Sequence, residues 1–232
     1  MAMAPHGESY LVSGGSGGIG AAVCRLLAAR GDCPIVGYRS GEAAAHELAA
    51  SLGGRALALD LGDERSIDAA VEAVATADDS SPPLAGIILA ASPPPALTPF
   101  ARIEPDEMHR QWQVNVAGPQ RLLAGLVRRS LQKRKRGAVV AILSAAMGGG
   151  GPDRPAAKGM GAYVIAKHGL AGLLATVAAE YPWLRVGSVS PGYTRTRMLD
   201  VFDPRFLKLQ ERTQRFLEPE EVAREIVAAL KP

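Results

Sequence analysis

Short apolar runs alternate along the chain with longer stretches whose apolar residues recur every three or four positions. That alternation predicts strands and helices in strict succession. A first strand over residues 8–13 runs into a glycine-rich turn. The helix that follows carries Ala22, Val23, Leu26 and Leu27 at helical spacing and stops near Gly31. Strand 34–38, helix 42–52, strand 55–59 and helix 64–76 come next. The turn Asp79-Ser80-Ser81-Pro82-Pro83 leads to a fourth strand over 84–90. Helices are expected over 104–115 and 119–132, and a strand over 138–143. An Ala- and Leu-rich helix begins at Gly161 and ends near Tyr181-Pro182. Strand 184–189, a long segment over 190–217 and a last helix over 219–230 complete the order. Six strands alternating with helices imply an α/β fold, a doubly wound parallel sheet with helices on both faces. No linker, boundary or repeat interrupts the pattern, so residues 1–232 are expected to form a single domain.

Composition narrows the class. Of 232 residues, 47% are hydrophobic, which provides a core without the excess of a membrane protein. No uninterrupted apolar stretch reaches spanning length; the helix from Gly161 comes nearest but carries Lys167 and His168. Residues 1–10 lack a basic segment followed by an apolar one, so no secretion signal is expected. Cys24 and Cys33, the two cysteines, have neither metal nor redox spacing and read as reduced thiols of a cytoplasmic protein, with no metal site. The formal charge is +3, yet Arg128, Arg129, Lys133, Arg134, Lys135 and Arg136 crowd one segment. With no aromatic interleaving and no nucleic-acid module, that run reads as a solvated helix end, not a nucleic-acid surface.

Candidate chemistry lies in three places. Between the first strand and helix stands Gly14-Gly15-Ser16-Gly17-Gly18-Ile19-Gly20, where strand, glycine turn and helix form the context of a dinucleotide fingerprint. Glycines let backbone N–H groups approach a pyrophosphate, whose charge the helix N-terminus favours. Gly15, Gly17 and Gly20 fit one spacing of that fingerprint; Gly14, Gly18 and Gly20 fit another. The second strand ends in Tyr38-Arg39-Ser40 with no acid before Glu42. An acid there would bind the ribose 2′-hydroxyl of NAD, whereas an arginine suits the 2′-phosphate of NADP. Tyr163 and Lys167 lie four apart on one helix, so phenol and ammonium share a face. An ammonium beside a phenol favours the phenolate and is expected to lower its pKa, readying it to exchange a proton with a substrate oxygen. His168 points to another face and reads as structural; His109 and Trp112 read as packing or surface.

These residues resemble the short-chain dehydrogenase/reductase family over nearly the whole chain, in particular the NADP-dependent carbonyl and 3-oxoacyl reductase type. Residues 13–20 are similar to its T-G-x-x-x-G-I-G loop, with Ser13 in place of threonine. Asn115 in Val114-Asn115-Val116, Ser144 closing the fifth strand, and Tyr163 with Lys167 match its active-site asparagine, serine and Y-x-x-x-K. The resemblance implies a Rossmann-type sheet in the order 3-2-1-4-5-6. It implies a cofactor site lined by Ser13, Gly14, Ser16, Gly18, Ile19, Gly20, Arg39, Ser40, Asp60, Leu61, Ala90, Ala91, Tyr163, Lys167, Pro191, Gly192, Thr194 and Thr196, with Asp60 at the adenine amino group. NADPH is the expected cofactor, with NAD possible. The implied activity is hydride transfer between NADP(H) and a small carbonyl or alcohol substrate: Tyr163 as proton donor, Lys167 keeping the phenol acidic, Ser144 at the carbonyl oxygen and Asn115 anchoring a proton-relaying water. An NADP-sensing protein without turnover is the alternative on the same fold.

Three departures from the family pattern stand out. The loop after the fourth strand, N-N-A-G in the family, reads Ala90-Ala91-Ser92-Pro93. The stretch between Ser144 and Tyr163 is lengthened, with glycines at 148–151 and with Pro152 and Pro155. The chain ends soon after its last helix, which favours a homodimer through the Tyr163 helix and its neighbour over a tetramer. In the family, residues 192–218 form the lid over the substrate. Here the segment mixes Tyr193, Met198, Val201, Phe202, Phe206 and Leu207 with Arg195, Arg197, Arg205 and Lys208. It suits a hydrophobic ketone or acyl chain with or without an acidic group; an amphipathic helix covering its own core fits equally.

Overall fold

The computed structural model describes residues 7–77, 81–151 and 153–230. Residues 1–6, Asp79 and Ser80 of the expected turn, and Pro152 of the lengthened loop lie outside the described residues. Six strands, β1 (Ser9–Ser13), β2 (Cys33–Tyr38), β3 (Arg55–Ala58), β4 (Leu84–Leu89), β5 (Gly137–Ile142) and β6 (Leu184–Val189), form one sheet in the order β3-β2-β1-β4-β5-β6. Every pairing is parallel. The central strands explain why: β1 and β4 are buried at every position, as near-continuous apolar runs must be when helices cover both faces.

The helices divide between those faces. On one side α1 (Gly18–Ala29), α2 (Glu42–Ser51) and α8 (Pro219–Ala229) pack through Val23, Leu27, Ala45 and Ile226. On the other lie α3 (Glu64–Ala75), α5 (Gly118–Leu126) and α6 (Gly161–Glu180), which contribute Ile67, Leu122, Leu126 and Leu170, and α4 (Pro105–Trp112), which packs on α6. The chain crosses from one half of the sheet to the other between β1 and β4. In an open α/β sheet the crevice at that switch point, beyond the carboxyl ends of the strands, receives ligands.

Three expectations need correction. The helices expected over 104–115 and 119–132 are one continuous helical run, because α4 passes into α5 through a π turn, Gln113–Ala117, and a second π turn follows at Val127–Leu131. Pro119 has no N–H and a Cβ on Gly118 would stand 2.1 Å from Leu61 O, so the helix widens there without breaking. The long segment 190–217 contains a further helix, α7 (Pro204–Glu211), whose N-cap Asp203 accepts from Arg205 N at 2.7 Å and whose first position is proline. Finally, α6 is long and apolar enough to span a membrane by length and composition alone. Its Lys167 is 2% exposed in this fold, so the charge does not mark a solvent-facing side.

Candidate active site

The turn after β1 is shaped by its glycines. Gly14 has φ +65°, and an added Cβ would stand 3.0 Å from Ala91 Cα, so this corner requires glycine twice over. A Cβ on Gly20 would lie 2.2 Å from Gly14 O, which lets the first turn of α1 sit directly on the strand end. Ser16, Gly17 and Gly18 are exposed at the tip, Ile19 is half-buried, and α1 starts without a side-chain cap and without an acid in its first turn. Its leading N–H groups are thus offered outward, with the positive end of the helix behind them. Here the chain provides a cradle that a Cβ would fill and donors that a pyrophosphate could take, and the dinucleotide fits.

Neighbouring strand ends complete that rim. Ser13, fully buried, accepts at Oγ from Ala90 N (3.1 Å) and Ala91 N (3.3 Å), joining the ends of β1 and β4 across the crevice. The departure from the family loop therefore leaves the backbone braced. Arg39 and Ser40 are exposed beyond β2, and among the described residues Arg39 has no ion-pair partner. Asp60 uses Oδ1 to accept from Gly62 N at 2.8 Å, and Leu61 beside it is buried against Gly118. Opposite the glycine turn, Pro191 accepts from Ala145 N at 2.9 Å. Thr194 Oγ1 donates to Gly192 O at 3.1 Å. Thr196 reaches over: a Cβ on Gly18 would stand 2.6 Å from its Cγ2.

At the carboxyl end of β5, Ser144 caps a 3₁₀ turn, accepting from Ala146 N at 3.1 Å. Its hydroxyl lies close enough to act on the phenol of Tyr163, a residue that is 5% exposed. Burial pushes the phenol above its ordinary value, and Ser144 opposes that only in part. This reverses the expected lowering. The ammonium of Lys167 stands 5.5 Å from the centre of the Tyr163 ring and donates to Ile142 O at 2.8 Å. It meets the ring and a carbonyl, and burial with no counter-charge pushes its own pKa down to about 7.

Asn115 occupies the π turn, 1% exposed, with its amide bonded to Ser92 and Gln111. Tyr163 also belongs to an apolar cluster with Met160, Val164 and Phe202, edged by Tyr193, Leu199 and Leu207 from the segment beyond β6. Tyr193 stacks on Phe216 with ring centres 5.0 Å apart. Arg195 of that segment is engaged by its own chain, pairing with Glu211 (2.8 Å) and Glu218 (3.2 Å). A cavity of about 590 Å³ at the outer base of this segment, between Arg195, Arg215 and Glu221, shares no lining residue with Tyr163 or Lys167.

Two participants escaped the sequence reading. Gln111 is wholly buried one helical turn before Asn115, and that spacing was the available signal. The Ile142 carbonyl that fixes Lys167 has no sequence signal at all. His168 is half-buried with Nε2 3.3 Å from Met147 O, a packing contact to the lengthened loop. Half of the basic segment is paired: Arg129 with Glu72 (2.6 Å), and Arg134 and Arg136 with Glu8 (3.1 and 3.0 Å).

A dinucleotide cradle at the switch point of a doubly wound sheet, with a buried phenol beside a serine on α6, is the arrangement of an NAD(P)-dependent oxidoreductase. Residues 8–205 match the family model described as short chain dehydrogenase, and the protein belongs to that family. It is 32% identical over 197 residues to the 2,5-dichloro-2,5-cyclohexadiene-1,4-diol dehydrogenase of Sphingobium indicum, covering 83% of this chain and 75% of that one. It is 29% identical over 202 residues to the 3-oxoacyl-(acyl-carrier-protein) reductase FabG of Escherichia coli, covering 83% and 76%. The crystal structure of 3-ketoacyl-(acyl-carrier-protein) reductase from Brucella melitensis complexed with NADH superposes with a TM-score of 0.83 over 97% of this chain and 91% of that one. At 22% identity, that likeness concerns the fold.

Proposed function

We propose that the protein is an NADPH-dependent reductase of ketones or aldehydes carrying an apolar body. The observation that carries this reading is the buried Tyr163 phenol beside Ser144, with the Lys167 ammonium 5.5 Å from its ring centre. Arg39, exposed and without an ion-pair partner among the described residues at the end of β2, supports a 2′-phosphate in place of a bare ribose hydroxyl. The glycine turn and the first N–H groups of α1 would hold the pyrophosphate, Asp60 the adenine side, and Pro191 to Thr196 the nicotinamide side. When bound, the nicotinamide supplies the hydride.

The chain's own residues would then manage the oxygen. Ser144 donates a hydrogen bond to the carbonyl oxygen and stabilises the charge that develops there. Tyr163 transfers its phenolic proton to that oxygen; its raised pKa keeps it protonated, as a donor must be. Lys167, tied to Ile142 O and titrating near neutrality, sits against the Tyr163 ring and favours the phenolate left behind. Phe202, Leu199, Leu207 and Tyr193 pack against the Tyr163 cluster and keep water from it, which favours a substrate with an apolar body.

In this reading residues 1–232 act as one domain with a lid at about 192–218. The protein works in the cytoplasm as a homodimer. Replacing Tyr163 by Phe tests the assignment: turnover of ketones or aldehydes with NADPH should fall by about 10²–10⁴-fold while NADPH binding, read by nicotinamide fluorescence, persists. A reductase activity that survived Tyr163→Phe would remove Tyr163 as the proton donor.

A further inference from the structure

The side-chain amide of Asn115 is fully engaged within the protein. Its Oδ1 accepts from Ser92 Oγ at 2.9 Å, and its Nδ2 donates to Gln111 O at 3.0 Å and to Gln111 Oε1 at 3.1 Å. An amide nitrogen has two hydrogens, so both are used. Gln111, with no exposed surface, continues the chain: its Nε2 donates to Pro94 O at 3.0 Å and to Glu107 Oε1 at 3.0 Å. Glu107 Oε1 also accepts from Ala96 N at 3.2 Å, while Arg110 holds Glu107 Oε2 and donates to Pro94 O at 3.0 Å. Hydrogen bonds thus run from Ser92 through Asn115, Gln111 and Glu107 back to Ala96, closing on the loop where they began. Two buried amides satisfy each other here, and removing either leaves the other unpaired.

An amide held in this way has no hydrogen left for a substrate or a water. What Asn115 still offers is its peptide carbonyl. Pro119, four residues on, has no N–H, so that carbonyl lacks the donor an α-helix would provide. The π turn bearing it packs hard on α6: a Cβ on Gly169 would stand 2.8 Å from Val116 Cγ2 and 2.9 Å from Trp112 Cζ3, two residues beyond Lys167. The position of the π turn therefore sets where the carbonyl lies relative to the Lys167 segment.

We propose that Gln111 is a positioning residue for the reaction. With Ser92 it locks the Asn115 amide, seats the π turn on α6, and holds the Asn115 carbonyl beside the route by which Tyr163 recovers its proton. This rests on the reductase reading above. The ring of hydrogen bonds also ties the loop over residues 92–96 to α4, in a chain whose loop lacks the family's asparagines.

The test is Gln111→Leu, assayed with NADPH and a ketone that the native protein reduces. The expected result is a kcat lower by about tenfold or more, as misplacing a proton route demands. KM for the ketone and Kd for NADPH should stay within about twofold, and the pH dependence of kcat should shift. A kcat within about twofold of native in a folded but less heat-stable Gln111→Leu protein would overturn the proposal and leave Gln111 a packing brace. Should that variant not fold, Ser92→Ala serves, since it removes only a hydroxyl, with its contacts to Asn115 Oδ1 and Pro93 O. It should lower kcat with KM unchanged, and an unaltered kcat there overturns the proposal equally. Failure of the reductase reading is seen separately. If the native protein binds NADPH but reduces nothing, ¹⁵N NMR of the Asn115 side-chain N–H pair still decides the geometry. Slow exchange in the native protein that becomes fast in Gln111→Leu supports the lock, and fast exchange in the native protein refutes it.

Discussion

Lys167 is the residue on which most physical effects meet. Burial lowers it to about 7 from 10.5, so between those values the unfolded chain binds more protons than the folded one. Stability therefore rises with pH through that interval: the full cost of burying the ammonium is present below about 7 and is relieved as the pH climbs. Cys24, pushed up to about 12 from 9.0, acts in the opposite sense above pH 9, which leaves pH 7 to 9 as the clean window. The midpoint of thermal unfolding should rise across that window in the native chain and stay flat in Lys167→Met. An equal slope in both proteins would remove Lys167 as its source. Arg39 carries the second prediction at this scale. A charge-assisted hydrogen bond contributes about 1.5–3 kcal/mol, so Arg39→Ala should raise Kd for NADPH by about 10- to 100-fold and leave NADH within about twofold. Equal losses for the two cofactors, measured by fluorescence titration, would sink the 2′-phosphate role.

Among the elements, the run from α4 through the π turn into α5 ties packing to chemistry. A methyl group at residue 118 would stand 2.1 Å from Leu61 O, a backbone atom that cannot swing aside. Gly118→Ala should cost about 1–3 kcal/mol of stability, read as a lower urea midpoint at unchanged slope. A neutral result would mean that the helix shifts freely at its π turn. The amphipathic period could not reveal this join, because Gly118-Pro119 reads as a stop, whereas the contact with Leu61, the packing on α6 and the ring of bonds around Asn115 keep the helix going. The segment beyond β6 differs: Asp203-Pro204 is a helix start legible in sequence. What the local pattern does not convey is that Phe202 at its threshold packs on the Tyr163 cluster.

At the scale of the molecule, α4, α6 and the turn before α4 leave apolar side chains open. Trp112 is 44% exposed, Ile165 39% and Phe100 79%. Ile165 lies two residues from both Tyr163 and Lys167 on the outward side of α6, so a second copy docked there would buttress the helix that carries the site. The expected outcome is a dimer by analytical ultracentrifugation and a monomer for Ile165→Asp; an Ile165→Asp protein that sedimented as the native one does would place any interface elsewhere. The alternation of strands and helices, the glycine turn and the pair at 163 and 167 were legible in sequence because each depends on neighbours within a few residues: a period, a cap, a spacing; the strand order, which sets β1 beside β4, came only through the family resemblance. The direction of the Tyr163 pKa was not, because spacing along a helix states which face two groups share and says nothing of how deeply they are buried or which partner takes the charge. The partners of Asn115 come from a loop and from an earlier turn of its own helix, and Lys167 is held by a strand 25 residues away. Local order belonged to the sequence; depth, partner and protonation belonged to the tertiary structure, since desolvation and hydrogen bonding are set by whatever the fold brings alongside.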